Sequence, residues 1–560
     1  MSIRTRAAAA LAAAALVFSL SACGSDEPSA SGPTGSSGST DDSAAAGQPV
    51  EGGTLYWAVA TAPPTINPQL NGLAKVSPLL RNVYTSYLYL TEDGVYEPWL
   101  AAGYEESEDG LTVTLSLREG VTFSDGEPLN ADAVLANFDK ITSEGYGYGT
   151  PAGLRNVSAI NKVDDLTVEF VLGTKDILFL QFLAGLGSTP LSPKSLELEQ
   201  TVLESGGPEL AGVGPFVITE YTANTELVLE KRADYKWAPA SIANGQTAAY
   251  LDKVVYRILP EGATRTGALE QGQVQAASDI QPLDVGVFEG REGFQYIRSF
   301  LAGSPYFIAF NPHKAPLDDI RVRQAFILGS DLDAIIEAVY HGAYDRAWAP
   351  VSTRGPWAAD LVGWNTTDVD KANELLDQAG WTERDAEGIR LKDGKPLRIE
   401  LYTDTNRLRE SRDQVHLALS AALKENVGID YHYEVVDSGT AAELNGGANY
   451  SIIDPSYLSP DPAGLVDTVY HSDPTRGTIG QGTFKDATLD QLIDTGRFTT
   501  DLETRITAYK ELQEYLTTEN WLVLPVYEPQ DSVAATDKVK NITIDGLGQP
   551  FGAYTIWLEP

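Results

Sequence analysis

The single cysteine of the chain, Cys23, limits the folds that are possible. One thiol in 560 residues cannot form a disulfide within the chain, so a hydrophobic core must hold the fold together without cross-links. The cysteine follows an apolar run from Ala7 to Leu20, which is itself preceded by Arg4 and Arg6. A basic start, an apolar run of this length and small residues at its end are typical of a secretory signal.

The residues Leu20-Ser21-Ala22-Cys23 resemble the lipobox of bacterial lipoproteins. The resemblance implies that residues 1–22 are a signal peptide and that Cys23 is acylated and becomes the first residue after cleavage. An ordinary cleavage site with an incidental cysteine is the alternative. The apolar run is too short to cross the roughly 30 Å hydrocarbon core as a helix, and no second apolar stretch of about 18 residues follows. The rest of the chain is therefore expected to be soluble.

Residues 24–53 consist mainly of Ser, Gly, Pro, Ala and acidic residues. Such a segment buries too little apolar area to offset the entropy cost of ordering it. We therefore predict that residues 23–52 form a lipid anchor followed by a disordered linker. A flexible coil of about 28 residues has a reach on the order of 30 Å, which would hold a folded region clear of a membrane surface.

The length and charge of the remaining chain bound its organisation. About 505 residues from 53 to 560 are more than one core usually holds, so two or more lobes are expected. The whole chain has 78 acidic and 40 basic residues, with a formal net charge of −38. Because contacts to phosphates need clustered lysine and arginine, we predict no nucleic-acid partner.

Alternating periodicities predict a mixed α/β fold. Residues 111–117 alternate strictly, as in a half-buried strand, and residues 124–128 follow as a turn. Helical spacing occurs at 332–339, behind a capping sequence at 330–333, and at 372–379, where Gly380 ends it. Further predicted elements are helices at 415–423 and 502–516 and strands at 253–259, 306–310, 397–402 and 522–527.

The sequence contains no catalytic or metal-binding motif such as G-x-S-x-G, S-x-x-K, H-E-x-x-H or G-x-x-x-x-G-K. The histidines lie far apart along the chain, and His341 and His416, in or just after predicted helices, are expected at surface or helix-end positions. Without internal cysteine or methionine, a site for a naked transition metal lacks soft ligands. We therefore predict no enzyme, no cofactor and no metal site.

A set of motifs in fixed order resembles the family 5 extracellular solute-binding proteins, the peptide, dipeptide and nickel binders of ABC importers. The motifs are GGTL at 52–55, APPTINP at 62–68, PWLA at 98–101, LREGVTFSDGEP at 117–128 with Ala131, Asp132 and Val134, GVGPF at 212–216, DYKW at 234–237, RVRQA at 321–325, and residues 371–380. They extend from about residue 50 to 528, essentially the whole mature chain. Most have a structural role of their own, since Ser-Asp-Gly suits a tight turn and Gly-Pro a bend.

The resemblance implies an α/β fold of the two-lobed periplasmic-binding-protein type, type II, of the large cluster with an extra subdomain. The lobes would be residues 53–304 with 526–560, including the extra subdomain, and residues 305–525. Two crossing strands would join them, and the predicted strands at 306–310 and 522–527 lie at suitable places. The lobes would close over a ligand like a hinge, and a membrane permease would recognise the closed form.

The resemblance also indicates where the ligand would differ. Peptide-binding members carry an aspartate in the second lobe that pairs with the α-amino group of the peptide. Depending on the end from which the stretch 450–462 is counted, this position holds Leu458 or Pro460, and neither can accept a charge-assisted hydrogen bond. Asp454 or Asp461 would substitute only from a shifted register.

Ligand contacts are predicted from proximity to the presumed hinge or cleft. Aromatic faces suit sugar rings or apolar side chains, an arginine suits a carboxylate or an anionic chelate, and the alternatives are core positions or a solvated loop. The predicted contacts are Tyr306, Phe307, Arg354, Trp357, Tyr450, Tyr457, Leu458, Asp461 and Tyr527.

These observations predict a solute-binding lipoprotein of an ABC importer, anchored to the outer face of the cytoplasmic membrane and expected to be a monomer. Its partners would be a peptide-like ligand and the ABC permease subunits. The alternative ligand is an oligosaccharide or a metal chelate such as a siderophore. A third hypothesis, from another class, is a secreted hydrolase or a surface sensor on the same fold.

Overall fold

The computed structural model describes residues 48–71, 73–147, 150–243, 245–404, 407–446, 449–473, 476, 485–499 and 501–560. The predicted signal peptide, Cys23 and most of the predicted linker lie outside the described residues. Within the ranges above, no helix combines the length and the apolar composition that a membrane span requires.

Short strands occur along the whole described chain. They are β1 (Thr54–Val59), β2 (Leu88–Leu90), β3 (Tyr96–Pro98), β4 (Ala101–Glu106), β5 (Thr112–Leu117), β6 (Val157–Lys162), β7 (Thr167–Leu172), β8 (Phe216–Thr222), β9 (Glu226–Lys231), β10 (Lys253–Ile258), β11 (Ala276–Ser278), β12 (Phe294–Phe300), β13 (Tyr306–Phe310), β14 (Glu383–Arg384), β15 (Arg390–Lys392), β16 (Lys395–Pro396), β17 (Arg398–Asp404), β18 (Asp430–Val436), β19 (Ile452–Ile453), β20 (Val523–Tyr527), β21 (Gln530–Thr536), β22 (Val539–Lys540) and β23 (Trp557–Leu558).

Helices alternate with these strands, as expected for a mixed α/β fold. They are α1 (Ser77–Leu80), α2 (Ala131–Thr142), α3 (Ile177–Ala184), α4 (Pro193–Leu196), α5 (Gln200–Ser205), α6 (Ala240–Ala243), α7 (Gly262–Glu270), α8 (Val285–Phe288), α9 (Ile320–Gly329), α10 (Leu332–Tyr340), α11 (Val369–Gln378), α12 (Arg412–Val427), α13 (Ser438–Leu444), α14 (Pro462–Tyr470), α15 (Ala487–Phe498) and α16 (Leu502–Glu514).

The sheets fall into two groups. A seven-stranded sheet has the order β12-β21-β11-β1-β10-β9-β8, and a four-stranded sheet has the order β4-β5-β7-β6; we call the part of the chain around them the first lobe. A three-stranded sheet, β19-β13-β20, and the parallel pair β17-β18 lie in what we call the second lobe. In the centre of the large sheet, β1 pairs in parallel with both β10 and β11.

Two crossings connect the lobes. Strand β12 belongs to the seven-stranded sheet and the next strand, β13, to the three-stranded sheet, while β20 and β21 make the reverse passage. At each crossing only a few residues separate the last strand of one lobe from the first strand of the other. Two such short connections side by side are typical of a hinge between lobes. The predicted two-lobed fold with two crossing strands is confirmed; the predicted lobe boundaries at 304/305 and 525/526 stay predictions.

Local sequence patterns predicted most elements near these lobes correctly. The strand at 111–117 corresponds to β5, the helix at 372–379 to α11, and Gly380 follows α11 with φ of +89°. The predicted cap of α10 is wrong: Asp331 has φ of +49°, in the left-handed region, and its side chain makes no capping hydrogen bond. Asp331 therefore starts this helix without a side-chain cap.

The expectation for His416 is also wrong, because this residue of α12 is fully buried. Its Nε2 lies 2.5 Å from the Tyr306 hydroxyl, and its Nδ1 lies 2.8 Å from the Tyr431 hydroxyl. The ring also stacks on Tyr433. A buried imidazole is tolerated here because both ring nitrogens have partners. His341, by contrast, lies exposed at the end of α10, as expected.

Candidate functional site

A cavity of about 1130 Å³ lies between the two lobes. The first lobe contributes residues 60–65, which leave β1 as an irregular segment because Pro63 and Pro64 cannot continue a strand ladder. It also contributes Lys75, the turn at 279–282 and the start of β21. The second lobe contributes Tyr344 and residues 408–410. A cleft of this size between two lobes is a common place for a ligand.

Lys75 anchors the first-lobe wall of the cavity. Its Nζ lies 2.8 Å from Asp279 Oδ1 and 3.2 Å from Asp531 Oδ1. Burial alone would lower the pKa of Lys75, but the nearby carboxylates raise it above its usual value, so the side chain stays an ammonium. Asp279 has φ of +56°, and its carbonyl accepts a hydrogen bond from Arg265 Nη2 at 2.6 Å, which fixes the strained turn.

Glu410 lines the cavity from the second lobe, and Ser411 follows it just before α12. Their φ angles are +56° and +55°, so two successive non-glycine residues occupy the left-handed region. Glu410 Oε2 accepts hydrogen bonds from Arg412 Nη2 at 2.9 Å and from the Tyr527 hydroxyl at 2.6 Å. Although burial raises it, the positive charges of Arg412, Arg409 and Lys75 hold the pKa of Glu410 at about 2. This carboxylate is therefore ionised and already paired.

Two donors that line the cavity have no hydrogen-bond partner among the described residues. They are Gln530 Nε2 and Arg409 Nε; the Arg409 side chain is 38% exposed, and its Nε lies 3.9 Å from Glu410 Oε1 in an ion pair without a hydrogen bond. Gln530 is 4% exposed. Arg409 donates a hydrogen bond from its Nη2 to Ser456 Oγ at 2.8 Å. Unpaired buried donors are costly, and a ligand acceptor would satisfy them. Within the described part of the chain, the Asp279 and Glu410 carboxylates are thus paired, while these two donors make no hydrogen bond.

Four of the predicted contacts lie in the core of the second lobe. Tyr306, Phe307, Tyr450 and Tyr527 are all buried. The Tyr306 hydroxyl donates to Asp454 Oδ2 at 2.9 Å. Tyr527 is the one of the four that touches a residue of the cavity wall, through its hydrogen bond to Glu410.

Three other predicted contacts lie around the crossings and α14. Arg354 pairs across the lobes with Glu92, at 3.6 Å. Trp357 packs edge-on against Tyr509. Asp461 caps α14 through the Ala463 N–H.

The last two predicted contacts are Tyr457 and Leu458. The Tyr457 backbone forms two hydrogen bonds with Ser304. Its N–H donates to Ser304 Oγ at 2.8 Å, and its carbonyl accepts from the Ser304 N–H at 2.9 Å. Leu458 lines a second cavity between the lobes, of about 180 Å³. No predicted contact lines the larger cavity, and the whole set stays a prediction.

The residues that line the larger cavity were not predicted from the sequence. Lys75, Asp279 and Glu410 come from three distant parts of the chain, and only the fold brings them together. One local signal was available: the charged run Arg407-Leu408-Arg409-Glu410 lies four residues before the predicted helix at 415–423. Two of these residues, Arg409 and Glu410, line the cavity.

Among the described residues, no group of three or more His, Cys, Asp or Glu side chains lies close enough together to hold a metal ion.

Comparison with protein families matches residues 95–477 to the model described as bacterial extracellular solute-binding proteins, family 5 Middle. The dipeptide-binding protein of Escherichia coli (strain K12) is 30% identical over 364 residues, which span 59% of this chain and 64% of that protein. The match thus covers slightly less than two thirds of that relative. The oligopeptide-binding protein AppA of Bacillus subtilis (strain 168) is 24% identical over 539 residues, 94% of each chain.

Solved structures show the same fold. NikA from Brucella suis, in complex with Fe(III)-EDTA, superposes with a TM-score of 0.78 at 23% identity, over 90% of this chain and 100% of that one. AppA from Bacillus subtilis, in complex with a nonapeptide, superposes with a TM-score of 0.77 at 22% identity, over 92% and 100% of the two chains.

Proposed function

The chain belongs to the bacterial extracellular solute-binding proteins of family 5, and we propose that it captures a peptide-like ligand between its lobes for an ABC importer. The observation that carries the proposal is the inter-lobe cavity of about 1130 Å³, where Gln530 Nε2 and Arg409 Nε have no hydrogen-bond partner among the described residues. Contacts to both lobes favour the closed form, so binding and closure are coupled.

The wall chemistry favours a peptide-like ligand over an oligosaccharide. Among the described residues that line the cavity, Tyr344 is the one aromatic side chain, whereas sugar rings need several aromatic faces. The segment 60–65 instead offers an irregular stretch of Ala, Thr and Pro side chains. Donors that seek acceptors fit the carbonyl and carboxylate oxygens of a peptide.

The names of the relatives support a peptide-like ligand and leave an anionic chelate as the alternative. The two relatives above are named for dipeptide and oligopeptide binding, and one solved structure holds a nonapeptide. Another solved structure holds Fe(III)-EDTA, an anionic chelate. Arg409 offers a guanidinium donor that would suit such a chelate as well, so an anionic chelate is the second candidate.

We further propose that a lipid on Cys23 keeps the protein at the outer face of the cytoplasmic membrane. Binding without covalent change would make the protein a receptor that presents its ligand to permease subunits and not an enzyme. Mass spectrometry of the membrane-bound protein tests the anchor: a diacylglyceryl mass on Cys23, absent from Cys23→Ser, is the expected result.

A thermal-shift screen tests the ligand class. The purified protein is mixed with separate pools of di- to pentapeptides, oligosaccharides and ferric siderophores. Binding to the folded state alone stabilises it by about 2.7 kcal/mol at a hundredfold excess over Kd. A shift with peptides is expected; a shift with siderophores alone would select the chelate, and a shift with oligosaccharides alone would reject both.

A further inference from the structure

The chain just before α12 has two adjacent residues with a strained backbone. Glu410 and Ser411 have φ angles of +56° and +55°, in the left-handed region that residues other than Gly, Asn and Asp rarely adopt. Such a backbone is unfavourable and persists only where the surrounding contacts hold it. The contacts that hold this pair therefore indicate what the strain is linked to.

Contacts from α10, β20 and α12 hold Glu410 in this conformation. Its carbonyl accepts a hydrogen bond from the Tyr340 hydroxyl of α10 at 2.7 Å. Its Oε2 accepts one from the Tyr527 hydroxyl, at the end of β20, at 2.6 Å. The Tyr527 hydroxyl in turn accepts from Arg412 Nε at 2.9 Å, and Arg412 also donates to Ser456 Oγ at 2.8 Å. Glu410 is thus fixed through both its backbone and its side chain.

Tyr527 connects this strained pair to the hinge. It is the last residue of β20, and it pairs with Tyr306, the first residue of β13. The register shifts next to this pair, because Phe307 pairs with Pro525 and Val526 is an extra residue on β20. A bulge of this kind bends a strand. The two tyrosines therefore lie at the bend where the crossing strands leave the second lobe.

Arg412 contacts the cavity wall and both crossing strands at once. Its Nη2 donates to Glu410 Oε2 at 2.9 Å, and its guanidinium lies over the Tyr306 ring, 4.1 Å from the centroid. Arg412, Tyr306 and Tyr527 are all buried, and the two tyrosine rings are 5.1 Å apart. Because side chains packed in this way have few alternative positions, a shift of the crossing strands also shifts Glu410.

Opening of the lobes changes the support of Glu410 in two ways. A rotation of the first lobe about residues 301–305 and 528–529 acts first on Tyr306 and Tyr527, which adjoin these connections. It also withdraws Lys75 of the first lobe, whose positive charge helps to keep the Glu410 carboxylate ionised. The open form therefore lacks part of what holds the left-handed backbone.

We propose that Glu410 and Ser411 are strained in the closed form and relax in the open form, so that their strain opposes closure and lowers the affinity for the ligand. Closed and open forms then differ in energy by the strain as well as by the ligand contacts. The inference rests on the proposed function, because it concerns the affinity of the same cleft. It does not depend on the chemical class of the ligand.

Ser411→Gly tests the proposal. Glycine adopts a positive φ without strain, and the Ser411 side chain forms no capping hydrogen bond, so the substitution removes strain without removing a cap. Calorimetric titration of the wild-type and variant proteins with the pool of di- to pentapeptides is the measurement. The apparent Kd is expected to fall about fivefold, which corresponds to about 1 kcal/mol of relieved strain.

Asp393→Gly is the matched control. Asp393 has φ of +53°, is exposed in the turn between β15 and β16, and lines neither of the two cavities. This substitution relieves the same kind of backbone strain and is expected to leave the Kd unchanged. An unchanged Kd in Ser411→Gly, or an equal fall in Asp393→Gly, overturns the proposal while the proposed function stands.

If the peptide pool does not bind the wild-type protein, the peptide ligand of the proposed function fails, and the ligand-free proteins test the hinge directly. Small-angle X-ray scattering of Ser411→Gly is then expected to give a smaller radius of gyration than the wild type, because the closed form gains population. Equal radii, or a decrease that Asp393→Gly also shows, overturn the proposal.

Discussion

Arg497 of the second lobe donates two hydrogen bonds to Asp176 of the first lobe, at 2.6 and 3.1 Å, and the two side chains are 1% and 0% exposed. Arg497 Nη1 also reaches Asp467 in its own lobe at 2.5 Å. Asp176 caps α3 through the Leu178 N–H as well. The lobes are therefore joined by a buried ion cluster that is separate from the larger cavity.

Asp176→Asn is expected to weaken this closed arrangement. The amide leaves the buried Arg497 with a single carboxylate, and loss of one partner from a buried pair costs about 3 kcal/mol of the free energy of unfolding. Urea denaturation measures the loss, and small-angle X-ray scattering of the ligand-free protein is expected to show a larger radius of gyration.

The matched control for Asp176→Asn is Glu374→Gln, because Glu374 pairs with Lys371 in an exposed pair on α11. Its effect is expected within about 0.5 kcal/mol, as for other surface substitutions. Equal effects of the two substitutions would contradict a role for the Asp176–Arg497 pair in joining the lobes.

The elements of the fold were largely predictable because their signals are local. Alternation over seven residues is enough to predict β5, and an apolar stripe followed by glycine is enough to predict α11. The predicted cap of α10 was wrong because a capping sequence does not report the backbone angle at Asp331, which lies in the left-handed region.

The larger cavity was not predictable, because its walls depend on contacts between distant residues. Lys75 and Asp531 are 456 positions apart and meet at 3.2 Å. His416 shows the same limit: helical spacing alone placed it at the surface, and only the folded chain brings Tyr306 and Tyr431 to its ring nitrogens. Family resemblance predicted a cleft between two lobes, and the ligand contacts predicted with it stay predictions.

Glu528, at the second crossing between β20 and β21, is expected to make stability depend on pH. The residue is 3% exposed, and burial raises its pKa from 4.5 to about 7. Between these values the folded state holds a proton that the unfolded state lacks, so this group lowers stability as pH rises. The loss amounts to about 3 kcal/mol by pH 8.

Glu528→Gln removes this titration and is expected to stabilise the protein at pH 8 more than at pH 5. Urea denaturation of both proteins at the two pH values is the measurement. A stability difference that does not change with pH would show that the Glu528 carboxyl titrates normally in the folded chain.

Glu410 is expected to have the opposite dependence. Its pKa falls from 4.5 to about 2 in the folded state, so its ionised form contributes stability that is complete above pH 4.5 and is lost as pH falls towards 2. Glu410→Gln is therefore expected to cost about 3 kcal/mol at pH 7 and much less at pH 3. A cost that is equal at both pH values would argue that Glu410 acts by shape and not by charge.

Gln530→Leu tests whether the unpaired donor at the start of β21 serves the ligand. The substitution removes Nε2, which has no hydrogen-bond partner among the described residues, so the stability of the ligand-free protein is expected to stay the same or to rise. If Nε2 donates to a ligand oxygen, Gln530→Leu raises the Kd for the peptide found by the thermal-shift screen about tenfold. This change corresponds to a loss of roughly 1.4 kcal/mol of binding free energy. Gln273→Leu, at an exposed glutamine outside the cavity, is the control and is expected to leave the Kd unchanged. An unchanged Kd in Gln530→Leu, together with a gain in stability, would mean that this buried amide makes no contact with the ligand.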